Sequence, residues 1–99
     1  MCRILLKDII NSTDLLTDAG DAFYRQLSAA ISNKEKIVVD MSAVSAMPSV
    51  FLNVSIGRIV EKYGLDTLKK YVSFVMITRQ QAARLTDYIA EYEKKAVVV

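Results

Sequence analysis

The chain has 99 residues, a net charge of +2, one cysteine and no histidine. That length allows one domain with one modest core, and the near-balanced, dispersed charge lacks the basic stripe of a nucleic-acid binder. A lone cysteine without histidine excludes a disulfide framework or a Cys/His zinc site built by this chain alone, and it removes the usual general base of a catalytic triad.

No apolar run approaches the roughly 20 residues that span a bilayer. Residues 1–11 show no extended apolar region and no small-residue cleavage site, so the cytoplasm is the expected compartment and no membrane partner is expected. Residues 3–10, RILLKDII, read as the first strand, with Lys7 and Asp8 marking an exposed edge or a bulge. Residues 11–14, NSTD, form a turn cluster whose side chains bond locally to the backbone. The first helix begins near Thr17, its expected cap, with Asp18 and Asp21 in the first turn. Phe23, Leu27, Ala30 and Ile31 recur at helical spacing and predict one buried stripe. Gly20 costs that helix roughly 1 kcal/mol relative to Ala; it either permits close approach to another backbone or is incidental.

Residues 37–41, IVVDM, predict a buried parallel strand with Asp40 near its end. A loop of small residues covers 42–47, and Pro48 with Ser49 signals the start of a helix over 50–63. Phe51, Leu52, Val54, Ile56, Ile59 and Val60 place apolar groups on more than one face of that helix. Such a helix packs against the sheet and also against another helix or a second subunit. Gly64 is its expected C-terminal stop. Residues 66–70 read as a short helical turn and residues 72–77, VSFVMI, as the third strand. Thr78 caps a last helix reaching about Lys95, with the stripe Ala82, Leu85, Ile89 and Tyr92, and Tyr88 alongside. Lys94 and Lys95 suit the negative end of its dipole. The apolar tail 96–99 either pairs on a sheet edge or frays.

The order βαβαβα predicts an α/β fold: a single small domain, core about 3–93, with a mostly parallel three-stranded sheet and the 37–41 strand in its middle. The open edges of so small a sheet favour a homodimer. The strand–loop–helix at 37–60 is the candidate partner- or ligand-binding turn, comprising Asp40, Pro48, Ser49 and Asn53. Ser49 is either a helix N-cap worth about 1 kcal/mol or a modifiable hydroxyl. Asp40 either organises the loop or belongs to a ligand site at the end of a parallel strand. Asn53 is expected to bond a nearby backbone group, and Tyr63, Tyr88 and Tyr92 to line the edge of the core. No catalytic residue, metal or cofactor is expected, because Ser49 has no histidine to activate it and no other constellation stands out.

The segment Ile37-Val38-Val39-Asp40-Met41, Pro48-Ser49-Val50, Phe51-Leu52-Asn53 and Ser55-Ile56-Gly57 resembles the small bacterial and phage STAS-like domains, relatives of anti-sigma-factor antagonists. Upstream, Leu16-Thr17-Asp18-Ala19-Gly20 is similar to the opening of that family's first helix. The resemblance covers about Ile4 to Tyr92. It implies a regulatory protein-interaction module whose partner is a protein, a kinase or ATPase of the GHKL type. In the antagonists the same turn carries an Asp-Ser-Ser-Gly motif whose first serine is phosphorylated. That serine falls on Ser49, while Pro48, Val50 and Phe51 replace the acid, the second serine and the glycine. The other expectation is a constitutive oligomerising or scaffold domain with no phospho-switch.

Overall fold

A computed structural model describes the backbone of residues 2–44 and 47–97, with side chains for 3–44 and 47–91. Three four-residue strands, β1 (Cys2–Leu5), β2 (Ile37–Asp40) and β3 (Val72–Val75), form one parallel sheet in the order β1-β2-β3. The 37–41 strand is therefore central, as expected, and the Met41 amide adds one more ladder bond to the Val75 carbonyl at 2.9 Å. Side chains alternate across each strand. Ile4, Ile37, Val39, Val72 and Phe74 share the face on which the core is built. Arg3, Leu5, Val38, Asp40, Ser73 and Val75 share the other, where Arg3, Leu5 and Ser73 are exposed.

The first strand is shorter than the sequence suggests. It stops at Leu5, and α1 (Leu6–Ile10) follows at once. The reason is periodicity. Leu6, Ile9 and Ile10 recur at three and four residues, so a helix brings all three to the core where a strand would split them. α2 (Leu16–Ser32) buries Phe23, Leu27, Ala30 and Ile31 as predicted, together with Ala19 and Gly20. Thr17 does not cap it: the helix begins one residue earlier, after Leu15, without a side-chain cap. The turn before it is held by the Ser12 hydroxyl donating to the Ile9 carbonyl and the Leu15 amide donating to Thr13 Oγ1.

The helix expected over 50–63 is two helices, α3 (Ser49–Asn53) and α4 (Ile56–Tyr63), broken at Val54 and Ser55. Ser55 is fully buried, and its hydroxyl donates to the Phe51 carbonyl at 2.7 Å, satisfying both groups at the break. The break rests on Gly20. A Cβ there would lie 2.1 Å from Val54 Cγ2 and 2.9 Å from the Phe51 carbonyl oxygen. One helical turn further on, Phe23 stacks on Phe51 with ring centroids 5.8 Å apart and planes within 8°. The apolar groups that suggested two packing faces are thus used within the chain, since Phe51, Leu52, Ile56 and Ile59 all enter one core.

Gly64 ends α4 at a φ of 92° with nothing near its missing Cβ, so backbone conformation rather than space requires glycine there. α5 (Leu65–Tyr71) leads into β3, which stops at Val75, two residues before the expected end. Met76 then turns with a positive φ of 54°, which no strand continues. α6 (Arg79–Val97) closes the chain. It includes Ala96 and Val97, two residues beyond the expected end near Lys95, so neither of these pairs on a sheet edge. Val98, Val99 and the side chain of Tyr92 lie outside the described residues.

Gly20→Ala should destabilise the fold by roughly 1–3 kcal/mol through overpacking, although alanine is intrinsically the better helix former by about 1 kcal/mol. Val54→Ala in the same chain should restore part of the loss, since it removes the nearer clash and leaves the carbonyl. Urea unfolding of the three variants measures both effects.

Candidate functional site

β2 carries Asp40 to the C-terminal end of the central strand, where parallel α/β sheets usually receive ligands. Its carboxylate is already engaged. Oδ1 accepts the Ser42 amide at 2.8 Å, and Oδ2 accepts Arg3 Nη2 at 2.6 Å. The hydroxyl and amide of Ser42, followed by Arg3, hold its pKa down at about 2. Asp40 is thus ionised under any physiological condition and ties the start of the loop to the edge strand β1. After it, Ala43 adopts a φ of 61° and the loop drives Val44 and Met47 into the core. Ser45 and Ala46 lie outside the described residues.

Pro48 holds the position before α3, with φ −61° and ψ 152°, and its carbonyl accepts the Leu52 amide at 3.1 Å. Ser49 is the first helical residue, one place too late to act as the N-cap, and its side chain caps nothing. This corrects the capping reading. Proline fixes the extended residue ahead of the helix and leaves the serine side chain free to face outward. Ser49 is exposed, and its Oγ accepts a hydrogen bond from Arg84 Nη2 at 2.9 Å. Asn53, expected to bond backbone, accepts the Tyr88 hydroxyl at Oδ1 instead, at 2.7 Å.

Arg84 and Tyr88 both belong to α6. That helix starts with a reciprocal box: the Gln81 amide donates to Thr78 Oγ1 at 3.1 Å, and the Thr78 amide donates to Gln81 Oε1 at 3.0 Å. Thr78 therefore caps as predicted. Gln81 also donates through Nε2 to the Val44 carbonyl, and Arg84 Nε donates to the Met47 carbonyl at 3.2 Å. Gln81, Arg84 and Tyr88 stand at i, i+3 and i+7, one stripe of α6. Along it the helix holds the loop at two carbonyls and α3 at Ser49 and Asn53. Burial raises the Tyr88 pKa, which keeps its hydroxyl a donor.

The four residues of the expected turn accordingly fall into two sets. Asp40 is bound to β1 and to its own loop, whereas Ser49 and Asn53 are bound to α6, with Pro48 between. Gln81 and Arg84 were not anticipated as part of the turn. The Thr78-x-x-Gln81 spacing was the available signal for the box, but nothing in the sequence shows which carbonyls these side chains reach. Tyr63 sits apart, its hydroxyl 2.7 Å from Ser28 Oγ on α2. Among the described residues no three metal-binding side chains come together, and no described helix is long and apolar enough to cross a membrane.

The family comparison agrees with this architecture. The sequence model of the STAS-like domain of unknown function DUF4325 matches residues 19–80, well over half of the chain, and the chain belongs to that family. Comparisons with curated proteins and with solved structures gave no match. The matched region runs from α2 through the start of α6, so it includes β2, the turn and Thr78.

The depressed Asp40 pKa has a definite sign. Between the ordinary carboxylate value of 3.8 and about 2 the unfolded chain binds the extra proton, so stability rises with pH across that window. The contribution is complete above about 4 and is lost as the pH falls to about 2. Asp40→Asn should flatten this part of the acid-unfolding profile, read as thermal melts from pH 5 downward.

Proposed function

We propose, from membership of this family and the placement of Ser49, that the chain is a non-catalytic regulatory module of the anti-sigma-factor-antagonist kind, acting in the cytoplasm and switched by phosphorylation of Ser49. The observation that supports it is the setting of that hydroxyl. It is exposed at the turn following the central strand, and a guanidinium stands 2.9 Å away. Val50, 43% exposed beside it, offers apolar ground for a partner. A phosphate adds a charge of about −1.5 to −2. Covering that charge with an apolar partner face costs several kcal/mol unless it is paired. The modification therefore sets affinity without dismantling the core. A GHKL-type kinase or ATPase is the partner that fits this reading.

Self-association is the second reading, and the sheet favours it. Among the described residues β1 and β3 each pair on one side only, and Leu5 at the end of β1 is 39% exposed. A homodimer formed there would leave the Ser49 turn free.

The test combines mass spectrometry of Ser49 in chain isolated from its native cells with titration of the ATPase captured beside it. Ser49→Ala should bind that ATPase like the parent chain, while Ser49→Asp stays folded and binds at least about tenfold more weakly, a difference of about 1.4 kcal/mol. Equal binding by the two variants would remove the switch. Light scattering at tens of micromolar, giving monomer mass alone, would remove the homodimer.

A further inference from the structure

We infer that Arg84 is the phosphate receiver of this site, and that phosphorylation at Ser49 fastens α6 more tightly over the loop and α3. The inference rests on the proposed modification of Ser49 and adds its structural consequence. Arg84 Nε is spent on the Met47 carbonyl at 3.2 Å, and one Nη2 hydrogen points at Ser49 Oγ at 2.9 Å. A guanidinium has five N–H donors in a fixed fork. The Nη1 pair and the second Nη2 hydrogen remain for phosphate oxygens while the bond to Met47 persists. Among the described residues no carboxylate pairs with Arg84. The cation is thus positioned by a carbonyl and a hydroxyl, with its charge uncompensated, next to the atom that would be modified.

The chemistry balances simply. Ser49 Oγ attacks the terminal phosphorus of a nucleoside triphosphate held by the kinase, a new O–P bond forms, and the phosphoanhydride bond breaks. The nucleoside diphosphate leaves, and the hydroxyl proton passes to the kinase's base. The product replaces one hydrogen bond from the guanidinium to a neutral hydroxyl by guanidinium–phosphate bonds in which both partners are charged, bonds that are shorter, stronger and open to bidentate geometry.

The consequence reaches α6 because of how that helix is held. Leu85 seats the helix in the core, and an open apolar groove lined by Leu68, Val72, Phe74, Ile77, Leu85 and Ile89 runs where it meets α5 and β3. Its grip on the turn comes from the polar stripe of Gln81, Arg84 and Tyr88. Strengthening one bond of that stripe strengthens the attachment of the whole helix. The phosphorylated chain is then the clamped form, and the unmodified chain is the looser one.

The experiment needs no kinase. The full chain is prepared with phosphoserine installed at position 49, in the parent background and with Arg84→Gln and Arg84→Lys. In the parent background the phosphate should lower the unfolding equilibrium constant about tenfold or more and slow amide exchange along 79–91. Phosphorus NMR should show the second ionisation of the phosphate displaced below its usual value of about 6. Arg84→Gln should abolish all three effects, and Arg84→Lys should keep part of them. Unchanged or weakened stability on phosphorylation, or a gain that survives Arg84→Gln, would overturn the inference. The two readings fail separately. Stabilisation through Arg84 with no change in ATPase binding leaves the clamp and removes the switch, while lost binding without stabilisation does the reverse.

Discussion

The site depends on how closely α3 approaches α2, and Gly20 sets that distance. No side chain fits between residue 20 and the Val54 and Phe51 groups that lie against it. The missing Cβ lets the broken helix settle onto α2, and the parallel stacking of Phe23 on Phe51 then fixes its orientation. From that contact the chain runs back two residues to Ser49. The hydroxyl therefore stands at a defined height above the core, and α6 meets it there with Arg84. A helix pushed outward by even one methyl group would carry Ser49 and Asn53 away from the two α6 side chains that reach them.

The sequence made the sheet and its order legible because each strand is marked by chemistry that no helix would choose. Ile37-Val38-Val39 is a β-branched run, and residues 72–77 carry the β-favouring Val, Phe and Ile. The buried stripe of α2 was legible for the complementary reason, a spacing of three and four residues. The errors have local causes. Short apolar runs carry little periodicity, so Leu6 to Ile10 read as an extension of its neighbour. Likewise, the break at Val54 and Ser55 was invisible because Ser55 satisfies the freed carbonyl by a bond that only the folded chain reveals. Within the site, Asp40 and Ser49 were legible as residues but not as partners. Arg84 lies 35 positions from Ser49, and nothing local to either announces the pairing.

The departures of this turn from the antagonist motif acquire a physical meaning from the fold. Phe51 stands where the motif has glycine, and it is fully buried against Phe23, so the turn is nailed to the core where a glycine would leave it free. Pro48 replaces the acid and takes the extended position ahead of the helix, which removes the serine from capping duty. Val50 replaces the second serine and is exposed, adding apolar surface beside the first. Each change makes the turn stiffer or less polar, and none takes away the hydroxyl.

A stiff turn changes what a regulatory charge can move. With Val44, Met47 and Phe51 all in the core, a phosphate at Ser49 cannot easily reshape its own loop, because interiors are packed too closely to deform by degrees. The neighbouring element has more freedom. α6 meets the turn through hydrogen bonds to Val44, Met47, Ser49 and Asn53, buried at Val44 and exposed at Ser49 and Asn53, each worth about 0.5–3 kcal/mol. A contact made by such bonds opens at a lower free energy than one made by dense apolar packing, while Leu85 keeps the middle of α6 in the core. The same side chain that positions the hydroxyl therefore also ties α6 to the turn, which makes the attachment of α6, rather than the shape of the turn, the natural output of a charge placed on Ser49.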